Sequence, residues 1–150
     1  IFLFPAYNVR NTEIGGILGR SQLKNLDKNN IKRNQNNRHF LSNIDPTKYQ
    51  VDFRLDGSSN YAFNLITKGA DFGFTNKLIE KLTEEKIEFR RGSAGGGNQL
   101  RQPYLKKLLG ESYKDYPNVD HIHFHGFYIG NFPSLEIEVV DELCKIINSV

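Results

Sequence analysis

Residues 7–27 read "YNVRNTEIGGILGRSQLKNLD". Asn11 or Thr12 can cap a helix here, and Glu13 suits its first turn. Ile14, Ile17, Leu18 and Leu26 fall on one helical face, and a looser helical pattern runs on to residue 44. Gly15, Gly16 and Gly19 each weaken a helix by ~1 kcal/mol against alanine. Three glycines so close together predict tight packing against another element. Residues 28–38, rich in arginine, lysine and asparagine, read as a solvated helix face. Asn8 and Arg10 stand just ahead of the helix start, where free N–H groups and the helix dipole favour an anion. An ordinary cap with a surface arginine fits the same residues.

Downstream, "DPTKY" turns the chain. "YQVDFRL" and "YAFNLIT" alternate across the turn "DGSSN", which predicts a pair of antiparallel strands. "TNKLIEKLTEEK" predicts a short amphipathic helix capped by Thr75 or Asn76, and "IEFRR" a third strand. "HIHFHGFYIG" carries both alternating and continuous apolar character, so strand and helix both stay open. "PSLEIEVVDELCKIINSV" predicts a closing helix, capped by Ser134, with Leu135, Val139, Leu143 and Ile146 or Ile147 inward. Helices alternating with short strands predict an α/β sandwich around a small sheet.

The chain has 150 residues, enough for one domain with a real core. Its net charge of +3 is too mild to imply nucleic acid, where basic residues should gather on one face. Cys144 is the single cysteine, so no intrachain disulfide can form; in an apolar helical pattern it reads as a buried, inert thiol. No apolar run reaches the ~20 residues of a membrane span, and "IFLF" at the start is too short for a signal peptide. These features predict a cytoplasmic setting. A chain beginning at Ile1 with "IFLF" reads like the middle of a structure, and a fragment is expected, one that associates through its bare apolar surface.

Two further stretches carry chemistry. "RRGSAGGGNQLRQPY", residues 90–104, holds four glycines and three arginines and no acid. Glycine lets backbone N–H groups approach a ligand, and arginine pairs with carboxylate or phosphate. The stretch lacks the Gly-Lys-Ser/Thr of a nucleotide-binding P-loop and the third glycine of a dinucleotide fingerprint. It reads either as an anion-binding nest or as a surface loop with incidental arginines. His121, His123 and His125 alternate. On a strand all three would face one way and could bind zinc or copper; on a helix they diverge.

Taken together, these motifs resemble the DegT/StrS family of pyridoxal-phosphate-dependent nucleotide-sugar aminotransferases. The central family pattern is Gly-Tyr-Asn-x-Arg-x-Thr-Glu, a pair of small residues, then Gly-x-x-Gln-Leu-x-x-Leu-Asp. Tyr7, Asn8, Arg10, Thr12, Glu13, Gly19, Gln22, Leu23, Leu26 and Asp27 fall in place. "GGGNQLRQPYL", "YPNVDHIHFHGFYIGNFPSL" and "IEVVDELCKIIN" are similar to a branch acting on nucleotide-linked keto-sugars. Ala6 stands for a usual glycine, Gly15 and Gly16 for an alanine pair, and "RRGSAGGGN" for a segment with a proline and a histidine.

The resemblance implies the C-terminal small domain of a fold-type-I pyridoxal phosphate enzyme, a small mainly antiparallel sheet packed with helices. Residues 1–40 would form the connecting segment and long helix from the large domain, and residues 41–150 the small domain. It implies a cytoplasmic homodimer that moves an amino group from an amino-acid donor to a nucleotide-linked keto-sugar for surface polysaccharide, such as lipopolysaccharide, with no nucleic acid or membrane partner. The alternatives are a sugar 3-dehydratase on the same scaffold, or a stand-alone metal-binding or interaction module built on the histidine stripe. The family's cofactor lysine lies upstream of Tyr7, with histidine in its place in the dehydratase branch; no lysine here matches it, so this chain alone is expected to be inactive. Asn8 would reach the cofactor phosphate across the dimer, beside Tyr7. Arg10, Asn98, Gln99 and Arg101 would bind substrate, with Arg101 on the diphosphate and Asn98 and Gln99 on sugar hydroxyls. No metal is implied.

Overall fold

The computed structural model describes residues 12–92 and 97–150. Thr12 caps the first helix, α1 (Glu13–Leu23), by accepting from Gly15 N at 3.3 Å. The chain breaks at Lys24 and Asn25 and resumes as α2 (Leu26–Asn43), so the one long helix expected is two. Then follow β1 (Ala62–Ile66), α3 (Phe72–Glu84), β2 (Phe89–Arg91), a 3-10 turn (Gln99–Arg101), α4 (Pro103–Leu109), a second 3-10 turn (Ser112–Asp115), α5 (Pro117–His125), β3 (Gly126–Gly130) and α6 (Ile137–Asn148).

The three strands form one antiparallel sheet in the order β1-β3-β2. Phe63 pairs Ile129, Leu65 pairs Phe127, and Phe89 pairs Ile129 from the other side. Residues opposite each other share a face, so these rings and branches form one apolar layer. Phe40 of α2, Leu78 and Leu82 of α3, and Val140, Leu143, Cys144 and Ile147 of α6 bury against it. Phe40 stacks on Phe63 with centroids 4.6 Å apart. Cys144 is buried as expected, and desolvation pushes its thiol up to about 12.

The strand expected from "YQVDFRL" does not form. Tyr49 makes a single bridge to Thr67, because its ring is drawn into the core and its hydroxyl donates to Ile147 O at 2.8 Å. Beyond Gln50, whose N–H still reaches Ile66 O, the chain leaves the edge of β1, which takes β3 as its ladder partner. The alternation at Val51, Phe53 and Leu55 records half-burial over the surface.

Two helix starts differ from those expected. α3 begins before the expected caps: Asp71 accepts from Gly73 N and Phe74 N, and Thr75 is buried one turn inside. It ends with Lys86 at φ 55 and Ile87 N donating to Leu82 O, a left-handed helix stop. α6 starts after Glu136 rather than Ser134, and its inward face is Val140, Leu143, Cys144 and Ile147, leaving Val139 exposed. In the supposed solvated face of α2, Asn36 and Asn37 are buried. Asn36 donates to Asn131 Oδ1, while Asn131 Nδ2 ties together Arg33 O and Asn60 O.

α1 has no buried residue, and Ile14, Ile17 and Leu18 are exposed. A side chain at Gly16 or Gly19 would meet nothing within 4 Å. The close packing expected of these glycines is therefore not made with the described residues.

Candidate functional site

Among the described residues, a polar network surrounds α5 and the turn at residues 98–101. α5 begins at Pro117, whose missing N–H suits the first turn, and it runs directly into β3. "HIHFH" is therefore helical, and the three rings part. Of the two readings left open for the histidine stripe, the helical one holds: His121 and His125, one turn apart, stack at 4.9 Å, while His123 faces Asn98. Among the described residues no group of three His, Cys, Asp or Glu is placed to hold a metal ion.

On one side of α5, Asp120 and His123 grip the turn at residues 98–101. Arg101 grips Asp120 with Nε on Oδ1 and Nη2 on Oδ2, the latter at 2.6 Å. This two-point fork is the geometry that planar guanidinium and carboxylate favour. Its plane sits 4.1 Å from the Tyr113 ring centroid and 4.9 Å from that of Phe124. Asn98 is buried. Its Oδ1 caps Leu100 N at 3.1 Å, its Nδ2 donates to Asp120 Oδ1 at 3.1 Å, and its backbone N–H donates to His123 Nδ1 at 3.0 Å. Gln99 is exposed between these anchors and accepts from Tyr104 Oη at 3.1 Å. The hydrogen bond from Arg101 holds the Asp120 carboxyl below its ordinary range and raises the guanidinium in turn. On the near side of the glycines, Gly92 N donates to Gly126 O and Arg91 Nη2 to Phe124 O at 2.8 Å.

On the other side of α5, His121 Nε2 donates to Thr67 O at 2.6 Å. Thr75 Oγ1 gives its proton to Asp71 O and so accepts from His125 Nδ1 at 2.8 Å. A cleft of 380 Å³ opens between the two sides, lined by Phe72, Tyr113, Asp120, His121, Phe124 and His125. A larger apolar groove of 770 Å³, between β2 and α6, shares no lining residue with the polar network.

Two of the rings are held neutral. Desolvation lowers the His123 pKa, aided by Arg101, and desolvation lowers that of His125, aided by His121. An unfolded histidine titrates near ~6.5, so on acidification the unfolded chain binds protons first. The stability these rings contribute is complete above about pH 6.5 and is lost as pH falls below it toward their folded values. Urea melts should show the midpoint falling between about pH 7 and about pH 5, and less steeply in His123→Asn/His125→Asn. Equal slopes in both proteins would sink the assignment.

Of the residues singled out from sequence, Asn98, Gln99 and Arg101 come together in one turn. Tyr7, Asn8 and Arg10 lie outside the described residues. Asp120 was missed. Its signal was the spacing Asp-x-x-His in "DHIH", which on a helix puts carboxylate and imidazole on one face.

The sequence profile of the DegT/DnrJ/EryC1/StrS aminotransferase family matches residues 3–148. The chain is 31% identical over 146 residues to the GDP-4-keto-6-deoxy-D-mannose 3-dehydratase of Escherichia coli O55:H7, covering 95% of this chain and 36% of that enzyme. A crystal structure of a GDP-4-keto-6-deoxymannose-3-dehydratase superposes with a TM-score of 0.72 at 26% identity, over 98% of this chain and 38% of the other. The aminotransferase from Psychrobacter cryohalolentis, at 16% identity and a TM-score of 0.69 over 93% of this chain and 38% of its own, shares the fold. The chain thus spans little more than a third of the length of these relatives. With the Tyr-Asn-x-Arg motif, the three-stranded sheet and the profile match over nearly every residue, the chain belongs to the DegT/DnrJ/EryC1/StrS aminotransferase family.

Proposed function

We propose that the complete protein carrying this chain is a pyridoxal-phosphate-dependent enzyme that removes the 3-hydroxyl of a nucleotide-linked 4-keto-6-deoxy sugar. The observation that carries this reading is the 31% identity to a 3-dehydratase across 95% of the chain. Amino transfer to a keto-sugar is the second reading, favoured by the family itself. Surface polysaccharide synthesis is the setting either reaction would serve. Residues 1–40 would link to a larger cofactor domain, and residues 41–150 would form the small domain of a cytoplasmic homodimer.

Pyridoxal phosphate supplies the electron sink in such enzymes. Asn8 would donate to its phosphate across the dimer, with Tyr7 beside it and Arg10 toward substrate. The start of α1 suits an anion, because the positive end of the helix directly follows the motif. The turn at residues 98–101 would form one wall for the nucleotide-sugar, with Gln99 toward it and Arg101, expected at the diphosphate, held behind it by Asp120. One related 3-dehydratase variant has been solved with bound GDP-perosamine, which supports a nucleotide-sugar as ligand.

Supply the complete protein with pyridoxal phosphate, glutamate and GDP-4-keto-6-deoxymannose, and identify the product by mass spectrometry. The expected product has lost its 3-hydroxyl and kept its 4-keto group. A sugar carrying nitrogen at C4 would replace the first reading with the second. No conversion of any nucleotide-linked keto-sugar would refute both.

A further inference from the structure

We infer that Asp120 and His123 are positioning residues for the nucleotide-sugar site, holding the turn at residues 98–101 from beneath so that Gln99 is presented to substrate while Asn98 and Arg101 act through the turn's shape. This rests on the functional reading above and deepens it. Asn98 is buried, and its N–H, Oδ1 and Nδ2 all have partners inside the protein. Arg101 closes the other end of the turn onto the same Asp120 carboxylate, sandwiched by Tyr113 and Phe124. One carboxylate and one imidazole, three residues apart on α5, therefore fix both ends of the turn. Asp120 accepts from Asn98 and Arg101 at once. A carboxylate serves this purpose better than an amide, because it is acceptor-only and carries the charge that the guanidinium answers.

The His123 contact has a protonation requirement. Nδ1 accepts from Asn98 N–H only while it carries no proton. The groups facing this ring are Arg101 from the turn, Arg91 from β2 and Asp120 from its own helix. The two guanidiniums oppose protonation and the carboxylate favours it; burial adds to the opposition. At neutral pH the turn is held. When His123 becomes imidazolium, two N–H groups face each other and this end of the hold is lost.

The test uses the complete protein with its cofactor. Asp120→Asn keeps the size and removes the charge. His123→Asn places a non-titrating acceptor near the Nδ1 position, and His123→Leu removes the acceptor. Asp120→Asn and His123→Leu should raise KM for the nucleotide-sugar about tenfold, as expected for loss of a bond to a charged or buried group. Their kcat should stay within about twofold and their pyridoxal phosphate affinity should not change. His123→Asn should keep KM near wild type and remove its rise as the pH falls below about 6.5. Hydrogen exchange in peptides spanning residues 97–102 should quicken in Asp120→Asn and His123→Leu without a matching change in β1 or α6. Unchanged exchange, or quickened exchange with KM unmoved, overturns the proposal. So does a parallel loss of kcat, cofactor affinity and melting temperature, which a merely structural role would give. If wild type turns over no nucleotide-sugar, the functional reading fails by itself, and the exchange data still decide whether Asp120 and His123 hold the turn. Should Asp120→Asn fail to fold, the contrast between His123→Asn and His123→Leu carries the test.

Discussion

Gly126→Ala should destabilise the protein by about 3 kcal/mol, at the upper end of what overpacking costs. The reason is space, not backbone conformation. Gly126 has φ −96 and ψ 139, which any residue adopts. A Cβ built there would stand 2.5 Å from Ile122 O and 3.0 Å from the Ile122 side chain. The first of these is backbone in the last turn of α5, so it cannot swing aside as a flexible side chain would. A Cβ at Gly92, the residue after β2, would meet the same carbonyl, and the Gly92 N–H donates to Gly126 O, so the crowding falls where the end of β2, the start of β3 and α5 meet. Relief would have to move α5 off the sheet, dragging His123 and Asp120 from the turn at residues 98–101. Chemical denaturation should report the loss, with Gly110→Ala as a control for glycine replacement where space is open but φ is 62. A change below about 1 kcal/mol at Gly126 would show that α5 yields easily and that its junction with β3 is not rigid.

Phe63→Ala should cost more, about 3–5 kcal/mol. Phe63 is fully buried, at 0% exposure, and is the second residue of β1, where α2 and the sheet meet. Its loss removes a ring from Phe40 and leaves the layer formed with Leu65, Phe127 and Ile129 short of a large side chain. Loss of a buried ring adds a cavity to the lost transfer free energy, because dense cores relax only partly. Phe63→Leu should recover more than half of the loss. Equilibrium melts of the two variants check this, and a Phe63→Ala penalty under about 1 kcal/mol would mean that the layer is not the core.

Local chemistry speaks clearly in several places. Thr12 caps α1, "YAFNLIT" and "IEFRR" contain strands, Cys144 is buried, and the Tyr-Asn-x-Arg motif points to the family that the profile match bears out. Each rests on signals carried within a few residues: a cap, an alternation, an apolar spacing, a motif. They suffice to specify the fold class, while residues 98–101 were singled out through the family resemblance.

Partnership across the chain is beyond them. "YQVDFRL" alternates like a strand, yet β1 pairs with β3, more than 60 residues later, and Tyr49 goes to the core. Asn36 reads as solvated in the sequence, but its amide goes to Asn131, 95 residues away. "HIHFHG" satisfies two periods at once, and only the crowding of Gly92 and Gly126 on Ile122 O shows where helix becomes strand. Arg101 reads as an anion ligand because arginine and glycine stand together; in the fold its fork closes on Asp120. The sequence by itself determined which residues were charged, apolar or able to cap. Which of them met was decided by tertiary packing, since a carboxylate 19 residues away can neutralise a guanidinium only after α5 has docked beside the turn.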